Sequence, residues 1–459
     1  MAWTGDTLAL LEAYMNERDM RDVVPAVVDR NPLLARVESK YDAADYFLGK
    51  YAVIRMKTAV PYNVAPRVEA GDVPLPGQHA FEAMRVRLRE YTGSTGITQN
   101  EMEQAAGQPL AAGVLAEEKL ADCIADMRRT LNMELGGDGT GRLARVASWN
   151  GTTKTVTVDN TIADFGWSGC ARIRDGMKVD IYTVADITGS SAWTVKCSGV
   201  TVSNVNRALG TFVVSGSTAP PADGDFVFLS NSVTLTSDGK FSSFNGCQGL
   251  MNIVDDGATT GWGSGGDTNN GSWYGTTFQG VDRTLYPQLQ AKILKANDWG
   301  TGTAGTPASW DLAVINDAIR WVDEEGDGDG DVSALYMNGR MRDCLMRKAA
   351  NEQNPFVTTD DGKIVPGMYI EQFRTSNGKL LPIIPITGLP NNTIYAVTER
   401  DFKLYWPVKP SWYKRNGQIW AESPGARNMT YEAWLRTVIQ LGARRCDNCV
   451  RIEDLLDTE

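Results

Sequence analysis

Between residues 111 and 135 apolar side chains return at every third or fourth position: Leu120, Ile124, Met127, Leu131 and Leu135. Glu117, Glu118, Asp122, Asp126, Arg128 and Arg129 fill the other faces, and Gly136 and Gly137 stand where a helix C-cap belongs. The spacing predicts an amphipathic helix of about 25 residues, roughly 37 Å long. That is longer than an ordinary globular helix. Such a rod has to act as a spine on which other segments pack.

The residues after this helix change character. From Leu143 to about Val233 the chain is rich in Thr, Val, Ser and Gly, with short alternating runs, and it repeats itself weakly. Val146–Asn150, Thr155–Val158 and Asp175–Tyr182 form one copy; Val202–Asn206, Thr211–Val214 and Asp223–Leu229 form the second. Each copy reads strand, turn, strand, tight turn, strand. Two such units predict a small β-barrel or sandwich inserted after the spine.

Ahead of the helix, Tyr51–Met56 and Ala83–Tyr91 are strand-like runs around a tip rich in proline and glycine (Pro61, Pro66, Gly71, Pro74, Pro76, Gly77). This reads as an extended hairpin. Arg85, Arg87 and Arg89 share one face of its returning strand, and Val86 and Leu88 the other. An isolated two-stranded hairpin is marginal in water, so it is expected to lie across a neighbouring subunit or along the edge of its own domain. Residues 6 to 22 carry Leu8, Leu11, Tyr14 and Met15 at helical spacing, in an arm too short to have its own core.

Downstream, residues 255 to 280 are dominated by Gly, Ser, Thr and Asn around Trp262, Trp273 and Tyr274, which predicts a long surface loop. From Ser309 the pattern becomes α/β, with a helix over Leu312–Val322, a strand over Ser333–Asn338 and a helix over Gly339–Asn351. Short strands follow between residues 364 and 406. Tyr431–Leu441 fits either a long strand or a helix, and its β-branched Thr437, Val438 and Ile439 favour strand.

Composition narrows the function. At 459 residues the chain exceeds what one core usually supports. The single histidine, His79, excludes two-histidine metal sites and removes the commonest general base. The seven cysteines are dispersed; only Cys446 and Cys449 have CxxC spacing, and no second pair or histidine completes a zinc site. The acidic run Asp323–Asp331 suggests calcium, but an EF-hand loop counted from Asp323 puts Ala334 at its glutamate position. Counted from Asp327, Val332 falls where glycine is needed, so the run reads as a solvated turn, with nonspecific divalent binding as the alternative. No catalytic, cofactor or metal residue is assigned. The net charge of −11 argues against tight nucleic-acid binding by counterion release. No apolar run is long enough for a membrane span, and residues 1 to 22 do not form a signal peptide.

The order of these parts resembles the tailed-bacteriophage major capsid proteins, the Hong Kong 97 fold. The segment Gly96–Glu103 leads into the spine, Gly137–Ala144 leaves it, and Asn338–Leu345, Ile384–Pro390, Ile394–Val397 and Tyr431–Leu441 resemble the family's axial and closing segments. The resemblance implies an α+β fold. It divides the chain into an N-terminal arm (1–50), extended-loop hairpin (51–95), peripheral domain with the spine helix (96–142) and inserted β domain (143–245). These are followed by a Gly/Trp-rich loop and peripheral return (246–308), an axial domain (309–405) and closing peripheral strands (406–459).

It also implies self-assembly through hexamers and pentamers into an icosahedral virion shell, made in the host bacterial cytoplasm. Such a shell encloses double-stranded DNA without reading its sequence, alongside portal, scaffolding and cement proteins. Expected intersubunit contacts are Leu8, Leu11, Lys57, Pro74, Arg85, Arg87 and Arg89. The arm begins almost at once, so no long cleaved scaffolding segment is expected. Lys50 and Lys57 are the loop lysines available for a covalent cross-link, with no partner asparagine identifiable. Two other readings are an encapsulin-like compartment shell and, from the Trp/Gly loop, a carbohydrate-binding tail or secreted protein.

Overall fold

The computed structural model describes residues 27, 31–38, 46–48, 50–59, 80–98, 109–159, 169–184, 191–216, 219–256, 277–299, 302–303, 306–325, 331–352, 372–376, 378–415, 419–422 and 430–456. Leu8, Leu11, Pro74, His79 and most of the Trp/Gly-rich loop lie outside them, as do residues 326–330 of the acidic run.

The fold is α+β, and the hairpin, long helix, inserted β region and α/β region follow one another as expected from the sequence. The spine helix spans Pro109–Gly136. Its first residue is proline, which suits a helix start because the missing N–H would have had no partner there. Leu120, Cys123, Met127, Leu131 and Leu135 are buried in the main core, and Ile124 packs beside them half-buried. The helix lies against two long strands, Arg89–Thr98 and Thr430–Ala443, paired antiparallel from Thr98↔Thr430 to Arg89↔Ile439. Phe402–Trp412 pairs with the other edge of Thr430–Ala443. The β-branched run Thr437–Ile439 therefore sits in a central strand, as its propensity favours.

The hairpin joins Tyr51–Ala59 to Ala80–Arg87 in the register Tyr51↔Arg87. Two features differ from the sequence reading. The single strand expected over Ala83–Tyr91 is two strands: Leu88 leaves the ladder to donate its N–H to Lys50 O at 3.0 Å, and Arg89–Thr98 crosses to the long sheet. The hairpin base is also not isolated. Ala52, Ile54, Met56, Met84 and Val86 are buried in the chain's own main core, and Arg85 N–H donates to Gln279 O at 2.7 Å.

The inserted region is a closed six-stranded barrel. Arg142–Asn150, Thr155–Val158 and Lys178–Thr183 come from the first repeat; Thr194–Asn206, Thr211–Val214 and Phe226–Leu229 come from the second. Their order around the barrel maps onto itself when the copies are exchanged, and so do individual hydrogen bonds. Gly176 N–H donates to Val202 O at 2.9 Å, and its counterpart Gly224 N–H donates to Val146 O at 3.0 Å. Val202 N–H reaches Met177 O and Val146 N–H reaches Asp225 O, both at 2.8 Å. Asn150 and Asn206 cap equivalent turns, each accepting two backbone N–H groups. Closure removes the exposed strand edges that the two copies would otherwise present.

The α/β region forms a six-stranded mixed sheet in the order Lys292–Leu294, Val450–Ile452, Ile394–Val397, Ala334–Met337, Leu380–Pro385, Gln372–Arg374. Two of its strands come from outside 309–405. Leu335 and Met337 point to one core, with helices Ala313–Glu325 and Gly339–Glu352, while Ala334 and Tyr336 point to the main core. Burial on both faces explains why Ala-Leu-Tyr-Met has no polar alternation. Among the described residues no helix is long and apolar enough to cross a membrane.

Candidate functional site

The spine ends where four parts of the chain meet. After Gly136 the backbone turns through Gly137-Asp138-Gly139-Thr140-Gly141 into the first barrel strand. A Cβ on Gly136 would come within 2.8 Å of the Gly388 backbone, and one on Gly388 within 2.4 Å of Asn132 O. This crossing of the spine over the loop after Leu380–Pro385 is open only to glycine.

Arg172, from the barrel, fills the same junction. Its guanidinium donates to Arg142 O at 2.9 Å, Met133 O at 2.9 Å and Gly388 O at 2.8 Å. One buried cation thus satisfies carbonyls of the barrel, the spine C-terminus and the loop at Gly388, and it sits where the helix dipole favours positive charge. Asp138 accepts from Thr140 N–H at 3.1 Å and Thr140 Oγ1 at 2.7 Å, and pairs with Arg142 at 3.2 Å. Glu134 is buried among these groups. Burial pushes its carboxyl up to about 8, with Asp138 adding to the rise and Arg172 and Arg89 opposing it.

A second buried network joins the sheet to the returning chain. Arg451 donates to Met251 O at 2.9 Å and Val254 O at 3.0 Å, and pairs with Asp255 at 3.3 Å and Glu453 at 2.6 Å. Arg283 donates to Asp255 O at 2.6 Å and stacks 4.2 Å from the Phe278 ring. At the arm, Arg36 forks onto Glu399, with Nη2 at 2.9 Å from Oε2, and Tyr336 donates to the same carboxylate at 2.5 Å. These networks transmit position. No group of three or more His, Cys, Asp or Glu suited to a metal occurs among the described residues. Cys446 and Cys449 are buried free thiols raised by burial, Cys446 to about 12, which suits inert packing.

The residues expected at intersubunit contacts separate into three groups. Lys57, Arg85 and Arg87 share the hairpin's outer face with Arg55 and Tyr51, all exposed. Among the described residues none of these four cations has an ion pair. Arg89 does not join them: the break at Leu88 turns it inward, and its charge acts on Glu134. Leu8, Leu11 and Pro74 lie outside the described residues. Arg172, Glu134 and Gly388 were not singled out from sequence. The glycine density from 136 to 141 was a visible sign of a tight crossing, but nothing in the sequence marked Arg172 or Gly388 as its partners.

A scan against protein-family models finds no match, and no curated protein matches either. Among solved structures the chain is similar to the cyanophage A-1(L) capsid asymmetric unit, at 12% identity over 91% of this chain and 88% of that one, with a TM-score of 0.45. It is similar to the satellite phage P4 procapsid that includes the size determination protein, at 9% identity over 95% and 99% of the two chains, TM-score 0.38. The SrpI encapsulin complex of Synechococcus elongatus PCC 7942 matches over 38% of this chain and 58% of that one, at 13% identity and a TM-score of 0.25.

Proposed function

We propose that this chain is the major capsid protein of a tailed bacteriophage, a structural subunit that assembles through hexamers and pentamers into an icosahedral shell around double-stranded DNA. The observation that carries this reading is the hairpin. Its base is anchored in the chain's own core, while Arg55, Lys57, Arg85 and Arg87 form an outward face with no ion pair of its own among the described residues. Four like charges on one sheet face cost stability unless acids meet them, and a second copy of a chain with net charge −11 supplies acids. The surrounding order of arm, hairpin, spine, inserted barrel and axial sheet supports the same assignment. The domain divisions 1–50, 51–95, 96–142, 143–245, 246–308, 309–405 and 406–459 are part of it, with the axial unit around each capsomer axis.

The networks around Arg172, Arg451 and Arg36 hold each subunit rigid, and the shell needs no reaction. DNA is enclosed without base recognition. Portal, scaffolding and cement proteins complete the virion where this subunit is found. Expression of the full chain followed by sedimentation and electron microscopy is the test. Closed icosahedral particles tens of nanometres across are expected, and a chain that stays monomeric under every assembly condition, including infection, would overturn the reading.

A further inference from the structure

An open cleft of about 980 Å³ separates the spine helix from the end of the barrel. The helix contributes Asp126, Arg129 and Met133; the barrel contributes Arg174, Asn204 and Arg207. Asp126 is taken by Arg129 at 2.7 Å, and Asp175 on the rim accepts Val205 N–H at 3.0 Å. Among the described residues the side chains of Arg174 and Arg207 have neither an ion pair nor a hydrogen bond. The guanidinium groups feel one another: Arg174 is lowered by burial first, then by the charges of Arg129 and Arg207, with Asp126 opposing.

The backbone that presents these groups is fixed. Asn206 Oδ1 accepts the N–H groups of Ala208 and Leu209, both at 3.1 Å, which sets the turn bearing Arg207. Met177 N–H donates to Arg174 O at 3.3 Å and Gly176 N–H to Val202 O at 2.9 Å, which sets the turn bearing Arg174. Three arginines converge, with no lysine, in a space of small-ligand size. Arginine's planar fork matches the oxygen pairs of a phosphate, and each added oxyanion relieves the repulsion between neighbouring cations.

From these features we infer that the cleft binds a small polyanion of the polyphosphate class, bridging helix and barrel. The inference does not depend on shell assembly. A nucleic-acid duplex is the wrong shape for it, since duplex binding uses a broad basic surface rather than a cleft closed on two sides.

Isothermal titration of the full-length chain with inorganic tripolyphosphate, orthophosphate and tricarballylate tests this. One tripolyphosphate per chain is expected, with orthophosphate at least about tenfold weaker because it cannot span two guanidinium groups. The paired change Arg174→Gln and Arg207→Gln should weaken tripolyphosphate by about a hundredfold, while Lys240→Gln, outside the cleft, leaves it unchanged. Arg207→Lys keeps the charge but loses the fork, so it should bind between wild type and the paired variant. Both altered side chains are exposed, so unliganded melting should match wild type, and only the wild type's melting temperature should rise with ligand. No binding, equal binding by the paired variant, or tricarballylate binding as tightly as tripolyphosphate would each overturn the proposal.

Discussion

Arg172 donates to Gly388 O at 2.8 Å across 216 residues of sequence, and the same guanidinium caps the spine through Met133 O. One side chain therefore ties the inserted barrel to both the spine and the loop that follows Leu380–Pro385. Arg172→Ala removes the donor these buried carbonyls share and one of the cations near Glu134 and Asp138, leaving Arg89 beside the first and Arg142 beside the second. Loss of a buried charged partner costs about 3 to 5 kcal/mol. Denaturant unfolding of the unassembled chain should show that loss, and Arg172→Lys should recover only part of it because one ammonium cannot reach three carbonyls. A cost below about 1 kcal/mol would mean that the junction holds without it.

Glu134 gives the same junction a pH dependence. Its folded value lies near 8 against an ordinary 4.5, so between those limits the folded chain binds more protons than the unfolded chain. Its contribution is fully present below about 4.5 and is lost as pH rises through 8, at about 1.4 kcal/mol per pH unit. Glu453, pushed up to about 7 chiefly by burial, adds a slope of the same sign. Glu134→Gln should reduce the fall in stability between pH 5 and pH 8 without abolishing it. An unchanged slope would show that Glu134 is ionised throughout.

The barrel's internal symmetry predicts matched mutational costs. Gly176 and Gly224 hold φ of +84° and +87°, and a Cβ on either meets no atom closer than 3.8 Å. Alanine at each should therefore cost only the left-handed backbone penalty, about 1 to 2 kcal/mol, and the two costs should agree. Gly388→Ala is different in kind: its Cβ would press on Asn132 O and the Met133 backbone, so at least about 2 kcal/mol is expected from the steric term. Thermal melts of the three variants decide it, and a large gap between Gly176→Ala and Gly224→Ala would contradict the twofold relationship.

Sequence reading succeeded where a local pattern carries the structure. The spine's apolar period needs no partner to be seen, and the barrel announced itself because each copy repeats its own turn residues, Asn150 with Asn206 and Gly176 with Gly224. It failed where position depends on remote groups. The break at Leu88 has no local signal: Met84 to Arg89 alternates straight through it, and the split arises because Arg89–Thr98 finds a longer partner in Thr430–Ala443. Lys292–Leu294 and Val450–Ile452 are three-residue strands that exist only through each other and Ile394–Val397. The junction was half visible, its glycines evident and its arginine not.

On the proposed function, the hairpin face is where assembly can be separated from folding. Arg85 and Arg87 are exposed, and the hydrogen bond linking Arg85 to Gln279 O uses its backbone N–H, which substitution leaves in place. The double change Arg85→Glu and Arg87→Glu should therefore shift the melting temperature of the free subunit by little, since exposed substitutions typically stay within about 0.5 kcal/mol. Across a subunit contact the same change turns attraction into repulsion between copies that are already net negative, an effect worth several kcal/mol per contact and multiplied over the shell. Particle yield by sedimentation should collapse while the soluble subunit keeps its circular dichroism spectrum. Lys57→Glu should act in the same direction, and Arg89→Glu should instead damage the subunit itself, because that side chain faces the Glu134 junction. Normal particles from the double variant would place the contact elsewhere than on this face.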